Sequence, residues 1–344
     1  MKILKTFFLC LSIMGLSNCD GDSSLEPGSA FKLEDFESAW SHIDSIYPLF
    51  DFKKIDWDSI HTVYRERIEQ SSDNDFFAVV MDVVGELKDG HANVYTESGA
   101  KFRPYTPPRL LRDEEAFDLD VVRTYSGQPL LTTGNGTIHY EFVSDSIGYV
   151  YMSTFGNDLR NHVNDIDKVI DYFSQARGVI IDVRNNRGGG SAVYDPIIGR
   201  FLASPLQTES AVSVMGTRPP YTIAPQGSRQ YTGPIVILIN GSCFSATEVF
   251  AGRMRQLDYV SLVGDTTAGG GMSSNGDARH FLPSGGSIRI NYEAILRVDG
   301  EPIEWNGVPP DIRIVQTKTD IDREQDKQLE FAVDFLKALS TDTL

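Results

Sequence analysis

The chain has 344 residues, of which 41% are hydrophobic and 23% charged, so it carries ample apolar material for a core and has room for about two domains. Aspartate and glutamate outnumber lysine and arginine by 48 to 31, giving a net charge of −17. A field of that sign repels phosphate backbones and argues against nucleic acid as a partner.

At the start of the chain Lys2 and Lys5 precede an apolar run, Phe7 to Leu16, which is too short to span a bilayer comfortably. Residues 1–18 therefore read as a secretory signal. Its end, Leu16-Ser17-Asn18-Cys19, resembles the bacterial lipobox, although Asn18 departs from the usual small residue. The resemblance implies that Cys19 is lipidated and becomes the mature N-terminus; an ordinary cleaved signal is the alternative. Residues 19–30 are polar and suit an anchor and tether. The expected location is the bacterial cell envelope, lipid-anchored, on a periplasmic or surface face. With Cys10 in the signal and Cys19 at the anchor, only Cys243 remains, so the folded part forms no internal disulfide.

Apolar residues then recur at helical spacing over Phe31 to Tyr47, Trp57 to Ile68 and Asp75 to Leu87, which predicts a small helical domain over 31–97. Asp56 and Ser72 stand where N-caps belong. Proline and glycine interrupt residues 98–141, and short β-favouring runs such as Val121-Val122 predict an irregular β-rich connector. From 142 to 344 strands and helices alternate. Strands are expected at Ile147 to Met152, Gly178 to Val183, Pro234 to Ile239, Val260 to Val263, Ile288 to Ile290 and Ile295 to Val298. Helices are expected near Leu159 to Ser174, Val193 to Leu202, Ser245 to Gln256 and Asp322 to Leu339. This is an α/β domain behind a helical one, mixed α+β overall.

Two stretches carry chemistry. In PIVILINGSCFSATEVFAGRM a buried strand runs through a glycine-containing turn into a helix opened by Ser245, with Glu248 in its first turn. A helix N-terminus offers free amides and a positive dipole end to the anion formed when a serine attacks a carbonyl, and the Ala246 amide is a natural donor to it. Ser245 and Glu248 also fit a capping box, which needs no catalysis. In GVIIDVRNNRGGG a strand ends at Asp182 and leads to Gly188, Gly189 and Gly190, where backbone without Cβ lets a ligand approach. The lysine and hydroxyl residue of a phosphate loop are missing, and a plain turn stays open. Asp182 and Arg184 read as a structural pair bracing the loop.

Taken in order, IDVRNNRGGG, NGSCFSATEVFA, VGDTTAGGG and EWNGVPPD resemble the tail-specific, or C-terminal-processing, serine peptidase family over roughly Ile147 to Val315. The resemblance implies a crotonase-like α/β catalytic domain, a serine-type endopeptidase, and peptide or protein substrates. In the branch with a serine and lysine pair the base lies in a motif matched here by Thr267 to Gly271, and Gly270 stands at the lysine position. The other branch is similar to the tricorn core protease, and Leu87-Lys88-Asp89-Gly90-His91-Ala92 resembles the motif that supplies its histidine. The resemblance thus makes Ser245 the nucleophile, His91 the general base and Glu304 the residue orienting the base. It assigns the oxyanion hole to a backbone amide of the Gly188-Gly189 turn with that of Ala246.

The serine expected before the histidine is Gly90, so Glu304 must reach His91 directly, through water or through another side chain, and Asp89 is a rival orienter. Cys243 is a competing nucleophile placed in the turn. No histidine or cysteine cluster has ligand spacing, so neither metal nor organic cofactor is expected. The connector is too short for a complete PDZ domain, which leaves the cleaved sequence and the oligomeric state open. Two other readings remain: a non-catalytic relative holding peptides or apolar ligands, and a hydrolase of small esters or amides.

Overall fold

The structure, a computed structural model, describes residues 29–72, 76–133, 136–156, 159–273 and 278–341. The signal, Cys19 and nearly all of the tether lie outside the described residues, as do 73–75, next to the expected cap at Ser72.

Seven strands form the main sheet, in the order Ile312–Arg313, Val260–Gly264, Ile235–Ile239, Gly178–Asp182, Ile147–Met152, Ile138–Ser144 and Leu131–Thr133. The first five run parallel, and the last two add an antiparallel edge. The inner strands are apolar throughout because both faces are covered. Val179, Ile181, Ile235, Ile237 and Ile239 share one core with the helices Leu159–Tyr172, Ser191–Gly199 and Ala246–Met254. Tyr149, Ile180, Val236 and Leu238 face the other way, onto Leu329, Ala332 and Leu336 of the helix Lys327–Thr341.

The helices Ser29–Ile46, Trp57–Gln70 and Phe76–Gly85 agree closely with the sequence expectation, and Asp56 caps the second by accepting from the Ser59 amide at 2.9 Å. They pack on a four-stranded antiparallel sheet ordered Arg279–Phe281, Ser287–Arg289, Asn93–Tyr95 and Lys101–Phe102. Their core holds Phe36, Ile43, Trp57, Val80 and Leu87 together with Val94, Leu282 and Ile288. Chain segments nearly two hundred residues apart therefore share this second core.

The connector holds strands as expected, at Lys101–Phe102, Leu131–Thr133 and from Ile138, but it also forms short helices that were not expected. Val121 and Val122 lie in a short helix, Leu119–Arg123, started by the Asp118 carboxylate on the Asp120 amide and held by burial of both valines. Pro107 and Pro108, read as breakers, open the helix Pro108–Arg112, since proline is well suited to a first turn. A short helix absent from the expectation, Phe50–Lys53, also appears. The strand expected at Ile295 to Val298 sits earlier, at Glu293–Ile295, because the chain turns back from Arg297 to Glu301. The last helix starts at Lys327 rather than Asp322, after a separate turn Lys318–Ile321 ending near Glu324, which has φ of 57°.

Candidate active site

Three loops leave the carboxyl ends of the adjacent parallel strands Gly178–Asp182, Ile235–Ile239 and Val260–Gly264, the place where open α/β sheets build their sites. The middle loop delivers Ser245 to the start of the helix Ala246–Met254. Its backbone there has φ 60° and ψ −124°, a conformation a non-glycine residue adopts only when its surroundings impose it, at about 1–3 kcal/mol.

The surroundings are visible. The Gly241 amide donates to Asp113 at 2.7 Å, the Ser242 hydroxyl donates to the Leu110 carbonyl at 2.7 Å, and the Phe244 amide donates to the Asn186 carbonyl at 3.1 Å. The connector thus braces the turn, a role its sequence does not signal. Glu248, wholly buried, accepts from the Ser245 amide at 2.9 Å, from the Thr267 hydroxyl at 2.6 Å, and from the Gly269 and Gly270 amides at 2.7 and 2.6 Å. Burial pushes this carboxyl up to about 7 against the pull of those four donors. Glu248 is therefore the clamp between the nucleophile turn and the third loop.

The glycine loop lies against the same turn. A Cβ at Gly188 would stand 2.9 Å from the Ala246 nitrogen and from the Ser245 Cβ, and one at Gly189 would fall 1.7 Å from the Phe155 carbonyl oxygen. The Gly188 amide is spent on Asn186 Oδ1 at 2.8 Å. Among the described residues the amides of Gly189 and Ala246 have no partner, so of the two glycines only Gly189 can offer an N–H to an oxyanion. Asp182 and Arg184 are buried and joined to each other and, through Arg184, to Asp326, the bracing pair expected from sequence. The Cys243 thiol is fully buried, donates to the Val183 carbonyl at 3.0 Å and is pushed far up by burial, so it is no thiolate.

His91 comes from the other body of the fold, in the turn between the helix Phe76–Gly85 and the strand Asn93–Tyr95. Its Nε2 lies 2.9 Å from Ser245 Oγ. The ring stacks on Phe244 with centroids 4.5 Å apart. Burial is the main force lowering its pKa to about 4, opposed by Asp89 and assisted by Arg289, Arg103 and Lys101, so the imidazole is neutral near pH 7 and free to accept a proton.

Behind the ring the arrangement is unusual. His91 Nδ1, Asp89 Oδ2 and Glu304 Oε2 are all buried without a hydrogen-bond partner. Asp89 Oδ1 accepts the His91 backbone amide at 2.7 Å and lies 4.0 Å from Nδ1, beyond direct hydrogen bonding. Glu304 enters from a strained segment in which Trp305 has φ of 71°. Its Oε1 accepts from Lys53 Nζ at 2.9 Å, and Lys53 also donates to the Tyr47 hydroxyl and the Leu87 carbonyl at 2.8 and 2.9 Å. Burial and the neighbouring Asp89 push Glu304 up to about 8 against the pull of Lys53. Asp89, His91 and Glu304 offer ligand atoms within 4.8 Å of one another, but the Lys53 ammonium already supplies the positive charge at Glu304.

Lys53 is the residue that sequence reasoning missed. It lies in an unremarkable Asp-Phe-Lys-Lys run, and only its 2% exposed side chain reveals its place. The two departures from the family pattern, Gly90 and Gly270, share one neighbour. A Cβ at Gly90 would meet Phe244 at 3.0 Å and Pro107 at 2.9 Å, while one at Gly270 would meet Phe244 at 2.0 Å. The ring that stacks on the histidine fills the space a side chain at Gly270 would need and, together with Pro107, that at Gly90.

Comparison with known proteins bears on the family and the fold. Residues 146–314 match the model of peptidase family S41, and residues 30–85 match that of the tricorn protease C1 domain. Carboxy-terminal processing protease CtpA of Bacillus subtilis is 25% identical over 179 residues, covering 52% of this chain and 37% of that protein. The chain therefore spans little more than a third of that relative's length. A crystal structure from Parabacteroides merdae, described as a candidate peptidase, is 27% identical with a TM-score of 0.77, covering 89% of this chain and 96% of that one. Mature CPAF, at 14% identity and a TM-score of 0.68 over 91% of this chain and 96% of that one, shares the fold. Together these matches give the chain a peptidase family S41 domain over residues 146–314, preceded by a tricorn protease C1 domain over residues 30–85.

Proposed function

We propose that the protein is a serine-type endopeptidase that cleaves peptide bonds through an acyl-enzyme on Ser245, with His91 as general base. The observation that carries this reading is the 2.9 Å approach of His91 Nε2 to the Ser245 hydroxyl, made between two separate bodies of the fold. His91 takes the hydroxyl proton as Ser245 attacks the carbonyl carbon, and the Gly189 and Ala246 amides receive the oxyanion. Collapse of the tetrahedral intermediate breaks the C–N bond as His91 returns the proton to the leaving amine, and water then repeats the sequence on the ester.

The imidazolium takes the serine proton on Nε2, while its Nδ1–H, present throughout the cycle, lies on the side of the Asp89 and Glu304 carboxyl groups. Ligand atoms of the three residues lie within 4.8 Å of one another, and a single water bridging Nδ1–H to the two acids, with Lys53 holding Glu304 in place, completes this reading. Both acids thus orient the base in place of the missing serine at position 90. A cavity of about 230 Å³ lined by Tyr105, Pro107, Arg109, Ala268 and Trp305 opens beside the Glu248-clamped loop and is suited to a substrate side chain. Lipidation at Cys19, with the enzyme held at the bacterial cell envelope, belongs to the same proposal and rests on the Leu16 to Cys19 motif and the polar tether.

Labelling with an active-site fluorophosphonate tests the core of it. Labelling of the wild type, lost in Ser245→Ala and His91→Ala, is the expected result; an unlabelled wild type favours a binding protein instead. Release of the protein from membranes by Cys19→Ala checks the anchor.

A further inference from the structure

In a chain of net charge −17, the sheet that carries His91 presents a face of the opposite sign. Asn93 stands opposite Arg289 across one strand pair, and Arg289 stands opposite Arg279 across the next. On the other side Val94 pairs with Phe102 and Tyr95 with Lys101, so Arg103 continues the row of Asn93 and Arg289. Side chains two apart share a face, so Arg279, Arg289, Arg103 and Lys101 all project from the side opposite Val94 and Ile288, which enter the helical core.

Like charges directly opposite one another on a sheet are destabilising. Among the described residues Lys101, Arg103 and Arg289 make no ion pair, while the Arg279 guanidinium lies 4.3 Å above the Tyr95 ring. Lys101 is lowered by partial burial and by Arg103, Arg289 and Arg279 together, and three of the four cations also depress His91. Lys101, Phe102 and Arg103 are exposed, and their strand is an edge whose outer backbone groups are unpaired.

Given the peptidase reading above, we propose that this face docks an acidic segment of the substrate, whose carboxylates pair with Lys101, Arg103 and Arg289. The strand begins two residues after His91, at most about 7 Å of chain, and Arg289 and Arg103 flank it by about 5 Å. At about 3.3 Å per extended residue the acidic side chains fall about three or four residues from the scissile bond. The docked segment neutralises the cations that oppose imidazolium formation, so binding and general-base catalysis reinforce each other. A patch this close to the base points to substrate rather than to a lipid surface.

The test compares two peptides that differ only in three glutamates or three glutamines placed three to five residues from the cleaved bond. Wild type is expected to give kcat/KM at least about tenfold higher on the glutamate peptide, with the ratio shrinking as salt rises. The ratio should collapse in a Lys101→Glu, Arg103→Glu, Arg289→Glu triple variant and persist in Arg229→Glu, whose exposed side chain pairs with Asp171 of the helix Leu159–Tyr172 and has no part in the patch. Should the triple variant misfold, Arg289→Gln and the wild-type salt series read the same ratio. Equal cleavage of both peptides by enzyme that fluorophosphonate labels overturns the docking proposal alone. So does a patch whose charge reversal removes binding to phosphatidylserine vesicles and leaves the peptide ratio intact. Absence of labelling and of any cleavage overturns the peptidase reading instead, and binding of the fluorescent glutamate peptide over the glutamine peptide then decides the docking face.

Discussion

The nucleophile half and the base half of the site contain the same kind of group, a buried carboxyl, in opposite conditions. Glu248 accepts four hydrogen bonds and locks two loops together. Glu304 accepts from Lys53 and leaves its other oxygen unpartnered beside the unpartnered atoms of Asp89 and His91. A saturated carboxylate fixes geometry; an under-satisfied cluster stores a capacity to respond to charge. The difference suits the roles, since Ser245 must be held still while positive charge appears and disappears on His91 in each turnover.

Removing His91 tests the division most severely. His91→Ala should lower kcat by about 10⁴-fold while leaving substrate binding largely intact, because general-base assistance is gone and the nucleophile half is undisturbed. A drop of less than about tenfold, measured by steady-state kinetics on a cleaved peptide, would assign the base to another group.

Glu248→Ala should instead act on the fold. It strands the Gly269 and Gly270 amides and the Thr267 hydroxyl in a buried place, with an expected loss of about 3–5 kcal/mol in urea unfolding. Unchanged stability would mean that water replaces the carboxylate and that the clamp is unnecessary.

How much of this was legible in the sequence follows the same division. Ser245, Glu248 and the glycine loop lie in contiguous strand-turn-helix stretches, where a local pattern dictates local geometry. The four central main-sheet strands were readable for the same reason, being apolar runs bounded by turns, whereas the outer strands Leu131–Thr133, Ile138–Ser144 and Ile312–Arg313 lack such runs and were not. His91, Asp89, Glu304 and Lys53 meet only through tertiary packing, so His91 and Glu304 were readable by resemblance and Lys53 not at all. The connector misled because tertiary burial of Val121 and Val122 overrode their β preference. Glycines 90 and 270 were visible as departures, but that one ring lies against both was not.

The pH profile offers a sharper test of the base half. With its pKa lowered to about 4 by burial, His91 stays unprotonated well below the usual 6.5. The acid limb of kcat/KM should therefore fall nearer pH 4 than pH 6.5. Because the folded value lies below the unfolded one, the stability that His91 contributes is complete above about 6.5 and is lost as pH falls through about 4. A limb that stays at 6.5 in an enzyme still folded at pH 5 would show that the acid pair fully offsets the burial of the ring.

The smallest effect concerns the ring between the two halves. Gly90→Ser restores the side chain seen in the resembling motif, yet its Cβ would press on Phe244 at 3.0 Å and Pro107 at 2.9 Å. Overpacking of this kind should reduce stability by about 1–3 kcal/mol and loosen the stack of Phe244 on His91, so activity should fall rather than rise. In a Phe244→Ala background half of that conflict is gone, and the added penalty of Gly90→Ser should shrink by a measurable coupling term. Additive penalties would place the strain on Pro107 alone and separate Gly90 from Gly270, whereas coupling would make the two glycines and the phenylalanine one unit, built to seat a histidine where a lysine would otherwise serve.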